Sequence, residues 1–194
     1  ILGFGDRVLE IIRELIIANE SEKKPAIVVL AEKEKDEMDD FFRERIENPE
    51  NTRIITRSGS TSSLQALRKV GVKDAKSVII LNDSSVAAPV EEKELSDARV
   101  LKTVMAALSC AGEDRAMPIL TELHLDNKRR LARSMFSNIV AINERSILAK
   151  LIVQTSRISG LAQVYDSLVG FAGSEFYFYK PKSGLKGMRY DEAL

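Results

Sequence analysis

The chain has 194 residues, 44% of them hydrophobic and 30% charged, a composition that belongs to a folded soluble domain and excludes a disordered one. Lys plus Arg and Asp plus Glu each total 29, so the formal net charge is zero, which argues against bulk electrostatic binding of nucleic acid or anionic lipid. A single cysteine, Cys110, leaves no intrachain disulfide, and no apolar run approaches the ~20 residues a membrane helix needs.

Ile1-Leu2 leads straight into Gly3-Phe4-Gly5 and reads as the stub of a first strand, with the chain opening inside it. Val8, Ile11, Ile12, Leu15 and Ile16 then recur at helical spacing and form one apolar face. After Pro25, Ile27-Val28-Val29-Leu30 is a continuous β-favouring run, the pattern of a strand covered on both faces. A charged helix is expected near Asp36 to Glu47, ending before Pro49. Arg53-Ile54-Ile55-Thr56 is the third strand, and Ser58-Gly59-Ser60 a turn. Leu64, Leu67 and Val70 mark a short helix, with Gly71 where a C-terminal cap belongs. Val78-Ile79-Ile80-Leu81 is the fourth strand, followed by a polar, acidic loop from Asn82 to about Glu94. The next helix carries Ala98, Leu101, Met105 and Leu108 on its apolar side and closes at Gly112. Pro118-Ile119-Leu120 with Leu123 forms the fifth strand, a basic helix capped by Asp126 follows, and Ile139-Val140-Ala141-Ile142 is the sixth.

Strand–helix alternation of this kind implies parallel strands with right-handed crossovers. The expected fold class is α/β, a Rossmann-like doubly wound parallel sheet of about six strands over residues 1–143. The pattern then changes. Glu144 to about Ser156 and Leu161 to Leu168 read as two helices broken at Gly160, and Phe176-Tyr177-Phe178-Tyr179 is strand-like. This tail does not read as a finished domain, and its apolar surface is expected to pack on a neighbouring subunit or on further sequence.

Gly3-Phe4-Gly5 stands where a dinucleotide-binding turn belongs, between a strand and a helix. Two glycines permit a tight turn and let backbone N–H groups approach a phosphate, which a helix N-terminus favours. The third glycine position holds Val8, and Asp6 places negative charge near the phosphate path. Glu32, at the end of the second strand, is positioned to accept from ribose hydroxyls. Asp83, Glu91, Glu92, Glu94 and Asp97 gather in and after the loop beyond the fourth strand, where carboxylates can bind a hard cation, without the spacing of an EF-hand. His124 is the sole histidine and has no zinc-ligand partners near it in sequence. Cys110 reads as a packing residue, and Lys128, Arg129, Arg130 and Arg133 as one solvated helix face. No G-x-S-x-G elbow is present.

Arg57-Ser58-Gly59-Ser60 through Leu64, Val70-Gly71-Val72, Ala75 and Val78-Ile79-Ile80-Leu81-Asn82-Asp83 together resemble the RCK (regulator of potassium conductance, or TrkA-N) domains. Leu30-Ala31-Glu32, Ser96-Asp97-Ala98-Arg99, Leu125-Asp126-Asn127, Gly160-Leu161-Ala162-Gln163, Gly170-Phe171 and Glu175-Phe176-Tyr177 are similar, more narrowly, to the gating-ring domain of Castor and Pollux type ion channels. The resemblance implies a Rossmann-like subdomain over 1–143, a crossover helix-turn-helix over 144–173 that interlocks two domains, and the start of a truncated C-terminal subdomain over 174–194. It implies a homo-oligomer, a ring on the cytoplasmic side of the membrane beneath a transmembrane pore; the zero net charge argues against a nucleic-acid partner. NAD(H), an adenine nucleotide or Ca²⁺ would be the ligand. Carried onto this chain, the nucleotide positions are Gly3, Gly5, Asp6, Glu32, Ser58, Gly59, Asn82 and Asp83. Val8 and Arg57-Ser58 depart from the commonest pattern, which has a third glycine and a Gly-Asp pair. The expected function is a ligand-sensing regulatory domain of an ion channel or ion-transport system, not an enzyme. The alternative is an NAD(P)-dependent oxidoreductase, for which His124 is the one obvious proton-transfer group.

Overall fold

Apolar runs form the strands and amphipathic runs the helices between them in a computed structural model that describes residues 1–112, 117–136, 139–171, 184 and 187–189. Helix α1 (Val8–Ala18) precedes β1 (Ala26–Ala31), α2 (Lys35–Arg45), β2 (Arg53–Ser58) and α3 (Leu64–Lys69). A 3-10 turn at Val72–Asp74 leads to β3 (Val78–Ile80), α4 (Val90–Ala111), β4 (Ile119–Glu122), α5 (Asp126–Met135) and β5 (Ile139–Ile142). Two further helices follow, α6 (Glu144–Arg157) and α7 (Leu161–Val169).

Every strand pair is parallel: Ile27 lies opposite Ile54, Ile79 opposite Leu120, and Leu120 opposite Val140. Among the described residues the strands number five, in ladders of two and three, rather than about six. The difference is the stub at Ile1-Leu2. With Gly3 already turning away, only Leu2 pairs, bridging to Leu30 on one side and Ile80 on the other. Leu2 N–H donates to Ile79 O at 2.8 Å, and Leu81 N–H to Leu2 O at 2.9 Å. The spatial order is therefore β2, β1, Leu2, β3, β4, β5. The chain winds outward through β1 and β2, then crosses back to begin β3 on the other side of Leu2. This arrangement is consistent with a Rossmann-like fold.

Alternation along the strands sends side chains to two cores. Ile27, Val29, Ala31 and Leu81 pack with Val8, Ile12 and Ile16 of α1 and with Met38 and Phe42 of α2. Leu30, Val78, Ile80, Ile119, Ile139 and Ala141 pack on the opposite face with residues of α3, α4 and α5. The second core runs beneath β1, β3, β4 and β5, whereas the first spans β2 and β1 and stops at β3. Ile119 is 0% exposed, but its neighbour Leu120 is 36% and Val140 55% exposed.

Three expectations need correction. Asp126 does not cap α5 but is its first residue, after Leu125 at the N-cap. The acidic stretch is not a loop as far as Glu94: α4 begins at Val90, and Glu91 and Glu92 occupy its first turn, where negative charge favours the helix N-terminus. The buried side of α4 is also not the one expected. Ser96, Asp97, Val100, Thr103, Val104, Ala107 and Ala111 face inward, while Ala98 and Met105 are exposed and Leu101 and Leu108 are half-buried. The inward stripe carries polar groups whose hydrogen bonds are met inside the protein, so hydropathy does not mark it. Gly71 does adopt a left-handed conformation, φ 72°, just past α3. Neither α6 nor α7 buries a side chain. The strand expected at Phe176–Tyr179 lies outside the described residues.

Candidate functional site

The Gly3–Gly5 turn rests directly on the end of β3. A Cβ on Gly3, whose φ is 104°, would come 3.0 Å from Leu81 O, and one on Gly5 would come 2.9 Å from Asn82 O. Both glycines are thus required by main-chain packing, whatever binds above them.

A cleft of about 430 Å³ opens over this turn at the carboxyl ends of β1 and β3. Open α/β sheets place their ligand crevice at such a crossover point, and the volume lies within the range of small-molecule sites. Gly3 and Phe4 form one wall, Glu32 and Lys33 another, and Ser60, Thr61 and Ser62 a third. Asp83, Arg99, Lys102 and Thr103 complete it. The Phe4 ring packs edge-on against Phe41, with centroids 5.2 Å apart. Lys33 Nζ lies 3.1 Å from Glu37 Oε2 and 5.6 Å from the Phe4 ring centroid. Arg99 pairs with Asp83 at 3.2 Å. Lys102 stands exposed at the rim. Thr61 and Thr103 hydroxyls lie 3.0 Å apart, joining the β2–α3 connection to α4.

Of the residues expected at a nucleotide site, Gly3, Glu32 and Asp83 line the cleft. Gly5 lies beyond it against Asn82, and Asp6 is exposed outside the lining. Ser58 ends β2 and Gly59 follows it, both outside the lining, and Gly59 N–H donates to Ala31 O at 2.9 Å. Asn82 is buried and turned inward, donating through Nδ2 to Asp97 Oδ1 at 2.9 Å. Arg99, Lys102, Thr103 and the Ser60–Ser62 hydroxyls were missed by sequence reasoning. The spacing of Arg99 with Lys102 and Thr103, three and four residues on, is the local signal that could have found the α4 wall.

Asp97 is fully buried and both carboxylate oxygens are engaged: Oδ1 accepts from Asn82 and from His124 N–H at 3.0 Å, and Oδ2 from Leu125 N–H at 2.9 Å. Ser84 Oγ lies 2.8 Å from Ser96 Oγ, and His124 Nε2 3.2 Å from Ser84 O. Asn143 Nδ2 donates to His124 O at 2.6 Å, while its Oδ1 accepts from Ser146 N–H at 2.9 Å and caps α6. One hydrogen-bonded chain therefore runs from Asn82, beside the cleft, to the start of α6.

With Asp97 committed here, Asp83 paired with Arg99, and Glu91, Glu92 and Glu94 exposed on α4, the acidic residues do not converge. Among the described residues no group of three His, Cys, Asp or Glu side chains is placed to hold a metal ion. His124 does not line the cleft, and Cys110 packs half-buried against the core. In the basic helix, Arg129 pairs with Asp126 and Arg133 donates to Ala141 O at 3.1 Å.

On the other face, over the open side of β4 and β5, lies a nearly apolar groove of about 330 Å³ lined by Ile11, Leu120, Ile142 and the α6 residues Ile147, Leu148 and Leu151. At its end Arg7 Nη2 is 2.7 Å from both Glu122 Oε1 and Glu144 Oε2. Burial pushes the Glu122 carboxyl above the usual range, against the opposing pull of Arg7.

A parallel α/β sheet with a cleft at its crossover point is the arrangement of a Rossmann-like α/β domain. The chain belongs to the RCK domain family: residues 2–121 match the calcium-activated potassium channel slowpoke-like RCK domain. Residues 145–194 match the family described as Castor and Pollux, part of voltage-gated ion channel. Over its full length the chain is 33% identical to a probable ion channel CASTOR of Oryza sativa subsp. japonica, of which it covers 21%. It is 31% identical to the ion channel CASTOR of Lotus japonicus and 32% to a probable ion channel POLLUX of Oryza sativa subsp. japonica, covering 22% and 19% of them. The chain thus spans about a fifth of the length of these relatives. No helix among the described residues is long and apolar enough to cross a membrane.

Proposed function

We propose that this chain is a ligand-sensing regulatory domain of an ion channel, sited on the cytoplasmic side of the membrane in a homo-oligomeric ring beneath the pore. The observation that carries this reading is the cleft at the crossover point, where glycine backbone, hydroxyls and charges of both signs meet. The ligand class that suits it is NAD(H) or an adenine nucleotide. Glu32 accepts from the ribose hydroxyls, the Gly3–Phe4 turn offers backbone to the phosphates, and Lys102 and Arg99 supply positive charge. Ca²⁺ has no gathered set of ligands among the described residues, which favours the nucleotide. The exposed Ile152, Val153, Val164 and Leu168 support α6 and α7 as the surface for interlocking neighbouring copies in this reading. A ligand that binds one arrangement of the ring more tightly shifts the population toward it, by no more than its differential affinity.

The test is the thermal midpoint of the purified chain against NAD⁺, NADH, ATP, AMP, Ca²⁺ and Mg²⁺. A ligand at ~100 times its Kd adds ~2.7 kcal/mol, a shift of several degrees for a domain of this size. A nucleotide-dependent rise that Glu32→Ala abolishes is expected. No shift with any nucleotide overturns the ligand assignment.

A further inference from the structure

The first turn of α6 is held to the sheet by two tethers of different kinds. One is the Asn143 cap, which donates to His124 O and to Leu123 O at 3.3 Å. The other is ionic: Arg7, at the N-cap of α1, reaches Glu122 at the end of β4 and Glu144 in the first turn of α6. Beyond that turn the helix has little to fix it. It buries no side chain, and Ile147 and Leu148 remain 44% and 51% exposed in the groove. An element with so little burial sits at the low end of local stability, so its tethers decide its position.

The two carboxylates on Arg7 are not equivalent. The Glu122 side chain is 7% exposed, so losing its cation would strand a buried charge. The Glu144 side chain is 39% exposed, and its Oε2, although buried against Arg7, makes no hydrogen bond there, so this contact is ionic alone and is the weaker of the two. Arg7 therefore stays with Glu122, and Glu144 is the partner that lets go. Arg7 is also close to the cleft along the chain. Phe4, three residues earlier, lines it, and Gly5, two residues earlier, rests on Asn82 O.

We propose that Arg7 is a positioning residue that latches α6 to the sheet, with Glu122 as its fixed anchor and Glu144 as its releasable partner. The position of the Gly3–Arg7 turn sets whether the base of α6 is docked over the groove or free to swing. The latch belongs to the regulation proposed above, and rests on that reading only for what moves the turn.

Amide hydrogen exchange of the full chain tests it. Glu144→Gln is expected to speed exchange over 144–157 about two- to fivefold, the range of a lost exposed pair, without changing exchange in β1 and β4. Raising salt from about 50 mM to about 500 mM speeds the same amides in the wild type but not in Glu144→Gln, because screening acts only on the intact pair. Arg7→Lys keeps part of the protection that Arg7→Met loses. Unchanged exchange in Glu144→Gln, or an equal salt response in both proteins, overturns the latch. A second arm uses NAD⁺, with binding measured separately by calorimetry. NAD⁺ is expected to alter α6 exchange in the wild type and not in Glu144→Gln, at equal affinity. Binding that leaves α6 exchange unchanged in the wild type removes the cleft as what moves the turn. Absence of NAD⁺ binding counts against the cleft assignment, while the ligand-free comparison still decides the latch.

Discussion

On one face of the sheet, α3, α4 and α5 bury β1, β3, β4 and β5; on the other, α1 and α2 cover β2 and β1, reach Ile79 of β3 and go no further. The contrast is sharpest within β4, where Ile119 and Leu120 are adjacent in sequence and opposite in environment. The continuous core holds the cleft residues of α4 in place. The half-open face carries α6, whose contacts are few and partly ionic, so it is the part of the molecule that can rearrange without unfolding the rest.

The largest expected effect tests that contrast directly. Ile119→Ala should lower stability by about 2–5 kcal/mol in urea unfolding, and Leu120→Ala by less than about 1 kcal/mol. Equal losses would mean that the open face is as tightly packed as the covered one. Next, Asp97→Asn should lower stability by about 2–3 kcal/mol, because an amide cannot accept all the N–H groups that the carboxylate accepts. A loss confined to the amides of 82–85, 123–125 and α6 would localise the tie to the loops between the two regions.

A smaller effect concerns Glu122 at the groove. Its folded pKa is raised by burial, so its contribution to stability is fully present below the ordinary carboxylate value and is lost as pH rises through the raised value. The charged groups that face it are Arg7, His124 and Glu144. Relative to Glu122→Gln, the wild type should therefore gain in thermal midpoint as pH falls from about 7 to about 4.5. A constant difference across that range would show that Arg7 fully offsets the burial. Smallest of all, Lys102→Ala at the cleft rim should change stability by no more than about 0.5 kcal/mol while weakening nucleotide binding in titration calorimetry.

The strands were legible because each is a short apolar run between turn residues, and the sheet's parallel order followed from their alternation with helices. What local pattern could not convey was the inward face of α4. There Ser96, Asp97 and Thr103 are buried, and partners far along the chain supply their hydrogen bonds. Glu32 and Asp83 were readable because strand ends point at the crevice. Lys102 was not, since its place depends on how α4 crosses the sheet. The triad of Arg7, Glu122 and Glu144 has no local signature at all, its first two members being 115 residues apart.

The bare contact between the Gly3–Gly5 turn and the end of β3 has a mechanical consequence. Most neighbouring segments in a protein meet through side chains, which can change rotamer and absorb a small displacement. Here main chain meets main chain, with a Cβ-sized gap already filled by the carbonyls of Leu81 and Asn82. Such a joint has almost no slack. A shift of a few tenths of an ångström on one side has to appear on the other, so the floor of the cleft and the loop that follows β3 move as one stiff part.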